Sequence, residues 1–113
     1  MNKQSFEEYL ENNDRLIYRN TGTSMLPLLK QGRDFFIVEK VNNRQLKKYD
    51  VVLYKRKPDS YVLHRILKIE NGKYLIMGDN CINKEYGITD NDIIAVMTGY
   101  IRKGRQHSTG EFF

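Results

Sequence analysis

Residues 50–77, DVVLYKRKPDSYVLHRILKIENGKYLIM, contain three segments rich in β-branched and aromatic residues, separated by two turns. The segments are Asp50–Lys55, Tyr61–Ile69 and Tyr74–Met77, and such compositions favour strands. In the first turn, Lys57–Ser60, proline fixes φ, and in the second, Asn71-Gly72, both residues accept a positive φ. The stretch therefore predicts two consecutive β-hairpins within an antiparallel sheet.

The sequence on either side extends this sheet. Phe35–Val41 and Ile93–Ile101 have the same β-type composition, and Leu16–Arg19 is a shorter candidate strand. One amphipathic helix, Ser5–Asn12, precedes them and begins with a capping box. The predicted fold class is therefore mostly β, with a short N-terminal helix.

Length and composition indicate one domain. The chain has 113 residues, of which 40% are hydrophobic and 29% charged, which suits a single core. We expect residues 1–15 to hold the helix, 16–102 to form the core and 103–113 to be a polar, mobile tail. The single cysteine, Cys81, excludes an internal disulfide.

The chain contains neither of the patterns that direct a protein to a membrane or out of the cell. Its apolar runs of about five residues fall short of the roughly 20 that cross a bilayer. The first 20 residues hold four acidic residues and lack the apolar run of a signal peptide. We therefore expect a cytoplasmic protein, with peripheral membrane contact as a further option.

The charge is unevenly distributed along the chain. A basic segment, residues 40–68, holds nine Lys and Arg against two Asp, whereas residues 70–92 hold five acidic residues against two basic ones. Clustered positive charge with interleaved tyrosines can bind nucleic acid or an anionic membrane surface. The simpler interpretation is a solvated strand face whose lysines protect sheet edges. We favour that interpretation and disfavour nucleic acid as a partner, because no recognition helix or RNA-binding motif accompanies the charge.

Ser24 and His64 are the candidates for nucleophilic chemistry. Ser24 lies at a bend imposed by Pro27, and a serine hydroxyl needs a neighbouring base that titrates near neutral pH. His64 is the suitable base, since His107 falls in the polar tail. In its predicted strand His64 shares a face with Ile66, so its ring should point toward the core.

Two carboxylates, Asp79 and Glu85, follow the predicted strands and are candidates for orienting a histidine. Each chemical candidate also has a structural interpretation: Ser24 as a helix N-cap, His64 as a buried core histidine and Asp79 as a turn residue. No paired histidines or cysteines occur at the spacing of a zinc site. We therefore predict neither a metal nor another cofactor.

Four segments in a particular order resemble the conserved boxes of type I signal peptidases. In chain order they are Gly22-Thr23-Ser24-Met25-Leu26-Pro27, Tyr49-Asp50-Val51-Val52-Leu53, Leu63-His64-Arg65-Ile66 and Met77-Gly78-Asp79-Asn80. They resemble that family's nucleophile box, Gly-Asp-Val-Val strand, general-base strand and Gly-Asp-Asn box, over roughly residues 18–102. The family shares a clan with the self-cleaving repressors of the SOS response.

The resemblance implies a fold and a mechanism. The fold would be a coiled, partly closed antiparallel sheet of the signal peptidase and SOS-repressor type. Ser24 would be the nucleophile, and His64 the base of the Ser-His subtype, in place of the lysine of most bacterial members. Asp79 would orient His64, with Glu85 as the reserve candidate because it stands where the family has a second Asp.

The nucleophile box implies further roles. The backbone amide of Ser24 and the hydroxyl of Thr23 would form the oxyanion hole, because Gly22 stands where the family usually has a serine. Met25 and Pro27 would contact the substrate, a peptide or precursor protein bound as an extended strand. The family's membrane anchor and large inserted domain have no counterpart here, which leaves a soluble minimal core.

Other functions stay open at this point. A non-catalytic module on the same fold would bind a peptide, a nucleic acid or a membrane surface, using the basic segment. A self-cleaving repressor fragment is disfavoured, because the single alanine, Ala95, is followed by valine rather than by the glycine of the cleavage dipeptide. The serine endopeptidase is the function that we favour.

Overall fold

The computed structural model describes residues 6–19, 25, 29, 32–42, 44–56, 60–81 and 83–109. Within these ranges the chain forms one helix and eight strands. In chain order they are α1 (Phe6–Asn12), β1 (Arg15–Arg19), β2 (Asp34–Lys40), β3 (Val51–Arg56), β4 (Ser60–Glu70), β5 (Lys73–Met77), β6 (Glu85–Thr89), β7 (Ile93–Arg102) and β8 (Arg105–Ser108). The prediction of a mostly-β fold with a short N-terminal helix is confirmed.

All eight strands belong to one antiparallel sheet. Seven of them follow the order β1-β2-β7-β3-β4-β5-β6, and β8 pairs with β7. β2 pairs with β7 over Ala95–Arg102, whereas β3 pairs with it over Ile93–Val96 and β8 over Gly99–Arg102. Because a strand has two edges, β3 and β8 share the edge of β7 that β2 leaves open.

The sheet is open but strongly coiled. β3 and β6 are three strand positions apart, which is about 14 Å in a flat sheet. Nevertheless the Tyr54 hydroxyl of β3 lies 2.6 Å from the Glu85 carboxylate of β6. The sheet must therefore curl so that β6 approaches β3 over one face, which is the coiled architecture expected from the sequence.

The two faces of the sheet bury separate apolar clusters. On β3, Val51 and Leu53 point to one face, and Val52 and Tyr54 to the other, so this strand is buried on both sides. The first cluster comprises Leu10, Met25, Leu29, Phe36, Val38, Val51, Leu53, Leu63, Ala95, Met97 and Tyr100. The second comprises Leu46, Val52, Tyr54, Ile66, Tyr74, Ile76, Ile93 and Val96.

Helix α1 covers the first cluster. Leu10 is buried in it, and the Phe6 ring makes edge-to-face contacts with Tyr18 at 5.0 Å and Tyr61 at 5.1 Å. The helix has only seven residues. In the part of the chain that the structure describes, no helix is long and apolar enough to cross a membrane.

The predicted hairpins are confirmed by the pairing of β3 with β4 and of β4 with β5. At the second turn Asn71 has φ 54° and Gly72 φ 73°, as a two-residue turn with two left-handed residues requires. The first predicted turn, Lys57–Ser60, falls mostly on residues 57–59, which lie outside the described residues.

Two strands were not predicted from the sequence. The prediction of a mobile tail over 103–113 is wrong for residues 105–108, which form β8. Lys103 and Gly104 have φ 52° and 76°, so they form the same kind of two-residue turn as Asn71-Gly72. β6 was also missed, because its exposed Tyr86 and its Gly87 break the expected alternation.

Candidate active site

His64 lies in the middle of β4, opposite Val52 of β3. It shares the face of the second cluster with Ile66, as predicted, and only 7% of its surface is exposed. Burial lowers the pKa of His64, and the nearby Arg56 lowers it further, while Glu85 and Asp79 act in the opposite direction. The imidazole is therefore kept neutral at neutral pH.

One ring nitrogen of His64 faces a tyrosine. The Tyr54 hydroxyl lies 3.3 Å from His64 Nδ1 and donates a hydrogen bond of 2.6 Å to Glu85 Oε1. Arg56 Nη2 also donates to Glu85 Oε1 and, at 3.4 Å, to the Tyr54 oxygen. We call Tyr54, Glu85 and Arg56 the Tyr54 network.

The strand pairing explains how this network forms. Tyr54 pairs with Val62, two residues before His64 on β4, so the two rings are diagonal neighbours on one face. Glu85 is the first residue of β6 and pairs with the buried Ile76. Because paired residues of neighbouring strands share a face, its carboxylate points toward Tyr54.

Charge pairing within the network controls its protonation. Burial alone would raise the pKa of Glu85, but hydrogen bonds from Arg56 and Tyr54 outweigh it, and this pKa lies below its usual value. Burial and the hydrogen bond to Glu85 raise the pKa of Tyr54. At neutral pH the network therefore consists of a carboxylate, a guanidinium and a neutral tyrosine.

Asp79 occupies a different place from the one that the sequence suggested. Both oxygens of its carboxylate accept hydrogen bonds of 2.7 Å from Arg65, through Nε and Nη2. Among the described residues, the hydrogen bond of the His64 ring is with Tyr54 rather than with Asp79. The described hydrogen bonds of the Asp79 carboxylate are thus with Arg65, and the direct orientation of His64 by Asp79 stays a prediction that these bonds do not support.

Met25 lies in the segment that resembles a nucleophile box, and it contacts the turn that holds Asp79. The backbone N–H of Asp79 donates to Met25 Sδ at 3.4 Å, and Met25 O accepts from the backbone N–H of Leu29 at 2.9 Å. Met25 is only 2% exposed and packs in the first cluster. Its side chain thus has a core position, and its contact with a substrate stays a prediction.

The other predicted residues of this box are not described. Ser24 and Thr23, the expected nucleophile and oxyanion residues, and Pro27, an expected substrate contact, lie outside the described residues. Among the residues that are described, no group of three or more His, Cys, Asp or Glu side chains is placed to hold a metal ion.

Sequence reasoning missed Tyr54 and Arg56. Tyr54 was considered only as one of the tyrosines interleaved with the basic segment, and Arg56 only as one of its basic residues. The register of the hairpin could have identified Tyr54. When Val52 pairs with His64, Tyr54 becomes a diagonal neighbour of His64 on the same face.

Much of the basic segment is paired with carboxylates. Its ion pairs are Arg44–Glu39, Lys55–Glu7, Arg56–Glu85, Arg65–Asp79 and Lys68–Glu70. Lys48 instead lies over the exposed ring of Tyr49, 5.0 Å from its centroid. Local pairing therefore offsets a large part of the positive charge that the sequence concentrates here.

Comparisons of the chain with models of known protein families, with curated proteins and with solved structures found no match.

Proposed function

We propose that the protein is a serine endopeptidase that resembles the Ser-His type of signal peptidase. Ser24 is the nucleophile and His64 the general base. The observation that carries the proposal is that Met25 and Arg65 are both bonded to Asp79. Met25 follows Ser24 in the chain, and Arg65 follows His64. The residue after each proposed catalytic residue is thus bonded to one turn.

The backbone at Tyr49 gives independent support. Tyr49 stands at the glycine position of the family's Gly-Asp-Val-Val strand, and its φ of 77° lies in the left-handed region that favours glycine. A tyrosine adopts this conformation only when its surroundings impose it. Those surroundings include the bond from Tyr49 N–H to the Ile66 carbonyl, 2.8 Å, and the bond from Arg65 to the Tyr49 carbonyl, 2.9 Å.

The proposed reaction has two halves. Ser24 Oγ attacks the scissile carbonyl carbon while its proton passes to His64 Nε2, and that proton then moves to the leaving amine as the C–N bond breaks. Water then attacks the acyl carbon while the same nitrogen takes its proton, and that proton passes to Ser24 Oγ as the ester bond breaks and the acid leaves. The substrate is an extended peptide that pairs with a sheet edge. The free thiol of Cys81 favours the cytoplasm as the compartment.

Acylation by a biotinylated 4-nitrophenyl ester tests the proposal, with the modified residue located by peptide mass spectrometry. We expect the acyl group on Ser24, no label in Ser24→Ala, and a rate lowered by at least about a hundredfold in His64→Gln, because a general base contributes that much. Ser60→Ala and His107→Gln are the matched controls and should label at the normal rate. Equal labelling of Ser24→Ala would contradict the proposal.

A non-catalytic binding module is the second candidate. The exposed Tyr49 ring with Lys48 over it favours this alternative, since aromatic and basic groups together bind polyanions. The ion pairs of the basic segment disfavour it. A folded protein that is not acylated but binds an oligonucleotide or anionic vesicles, with affinity that falls as salt rises, would support this candidate.

A further inference from the structure

The direction of the hydrogen bonds in the Tyr54 network can be worked out from the donors that each group carries. A tyrosine hydroxyl has one proton, and an ionised carboxylate can only accept. The 2.6 Å bond between the Tyr54 hydroxyl and Glu85 Oε1 therefore uses the single proton of Tyr54. What Tyr54 presents to its other neighbours is a lone pair.

His64 is one of those neighbours. Its Nδ1 lies 3.3 Å from the Tyr54 oxygen, slightly longer than the usual N–H···O limit of about 3.2 Å. An unprotonated Nδ1 would place two lone pairs against each other in a buried site, whereas a protonated Nδ1 donates to the oxygen. Arg56 Nη2, at 3.4 Å, also approaches this oxygen as a donor.

We infer that Tyr54 is a positioning residue that holds His64 in the Nδ1–H tautomer, with Glu85 acting on His64 through the Tyr54 hydroxyl. Its catalytic meaning rests on the function proposed above. The nitrogen left without a proton is then Nε2, the atom that must accept the proton of Ser24. Tyr54 thus takes the place at Nδ1 that a triad gives to an acid.

The arrangement also accommodates the charge that forms during the reaction. When His64 Nε2 takes up a proton the ring becomes a cation, and Nδ1–H continues to donate to Tyr54. The Glu85 carboxylate balances this charge from the far side of the tyrosine, while Arg56 moderates the attraction. His64 and Tyr54 are buried, so the charge on the imidazole is screened less than it would be in water, although Arg56 and Glu85 are partly exposed.

The tautomer can be measured without any activity. Long-range ¹H–¹⁵N correlation spectra distinguish a protonated from an unprotonated imidazole nitrogen, and the Ser24→Ala protein, with His107→Gln to leave one histidine, isolates His64. We expect a protonated Nδ1 and an unprotonated Nε2 at pH 7.5. Free histidine in water prefers the opposite tautomer, so the result is informative. A dominant Nε2–H tautomer in this protein would by itself overturn the inference.

Variants of the network then test the cause. In Tyr54→Phe the acceptor is lost, and in Glu85→Met the Tyr54 hydroxyl is released to donate to Nδ1; both should shift His64 to the Nε2–H tautomer. Glu85→Gln keeps a carbonyl acceptor and should preserve Nδ1–H. Tyr74→Phe is the matched control, because Tyr74 makes an equally short bond, 2.6 Å, to Asp90. It should leave the tautomer unchanged.

The kinetic readout is the acylation rate of Ser24 in proteins that retain that serine. Tyr54→Phe should lower it about tenfold to a hundredfold, less than loss of the base itself, and Tyr74→Phe should not. If Tyr54→Phe keeps the Nδ1–H tautomer, the inference fails even when Ser24 is acylated normally. If the tautomer behaves as expected but Ser24 is never acylated, the proposed function fails and the assignment of the hydrogen bonds stands.

Discussion

His64 combines burial with nearby charges of both signs. Burial and Arg56 lower its pKa, whereas Glu85 and Asp79 raise it, and the balance lies below the ordinary 6.5. Tyr54, which contacts its Nδ1, is neutral as tyrosines are at this pH, and burial raises its pKa further. These groups determine how the proposed reaction and the folded state respond to acid.

We expect the acylation rate of Ser24 to rise with pH as His64 loses its proton, with a midpoint below pH 6.5, and to be level above about pH 7. Stability should follow the same group. Between the lowered pKa of folded His64 and the value of 6.5 in the unfolded chain, the unfolded state binds more protons, so the free energy of unfolding increases with pH across that window.

Urea unfolding at several pH values measures this slope. His64→Gln, which does not titrate, should remove it, while His107→Gln should retain it. Glu85 contributes in a separate window, because its pKa is lowered and its stabilisation is lost only as pH falls below its usual 4.5. A slope just below pH 6.5 that persists in His64→Gln would assign the titration to another group.

At the residue scale, period-two alternation was enough to predict which way His64 points. It was not enough to predict what His64 touches. The partner of Asp79, Arg65, is the residue next to His64 and lies opposite Met77 of β5, so the turn after β5 brings the carboxylate back to β4. A carboxylate binds the donor that the strand pairing places beside it. Here that donor is Arg65, which binds both oxygens and so competes more strongly than His64 would.

At the element scale, β8 depends on one glycine. Gly99 of β7 pairs with Ser108, and a Cβ at this position would lie 2.5 Å from the backbone oxygen of His107. The His107 ring stacks on Tyr100 with centroids 4.9 Å apart. β8 must therefore move if any side chain replaces the hydrogen of Gly99.

Gly99→Ala should cost about 1–3 kcal/mol of unfolding free energy, the usual penalty for overpacking. Hydrogen exchange by mass spectrometry or NMR locates the effect. We expect faster exchange for the amides of 105–109 and unchanged protection in β3 and β4. Uniformly faster exchange across the sheet would mean that β8 is part of one cooperative unit with the core.

The two strands that were missed share a physical cause. β6 and β8 are short, contain no buried residue and carry few apolar residues, so their side chains give no periodic signal. Their pairing comes from backbone hydrogen bonds and from turns such as Lys103-Gly104. β3, β4 and β7 were predictable because burial on one or both faces selects their side chains.

At the scale of the whole molecule, Asp79 ties together parts of the chain that are far apart in sequence. Its carboxylate holds Arg65 of β4, and its N–H holds Met25. Arg65 in turn donates to the carbonyl of Tyr49 before β3. Asp79 is thus bonded directly to two segments that resemble family boxes and, through Arg65, is linked to a third, while Glu85 belongs to the Tyr54 network.

This division predicts different consequences for the two carboxylates. Asp79→Asn weakens the bidentate bond and should cost about 1.5–3 kcal/mol of unfolding free energy, as expected for hydrogen bonds to charged groups. It should also lower acylation of Ser24, because the Met25 contact depends on this turn, yet leave His64 in the Nδ1–H tautomer. Arg65→Lys, which keeps the charge but not the bidentate geometry, should reproduce both losses.

Glu85→Met should have the contrasting effect: it should change the tautomer of His64 without disturbing the turn at Asp79. Measuring stability, acylation rate and tautomer for all three variants separates the roles, since a residue that only supports the fold changes the first two and not the third. Asp79 would be the orienting carboxylate if Asp79→Asn alone shifted the tautomer while Glu85→Met preserved it. Arg65 binds both oxygens of Asp79, whereas Nδ1 of His64 faces the Tyr54 hydroxyl that is bonded to Glu85, and this is the reason to expect the opposite.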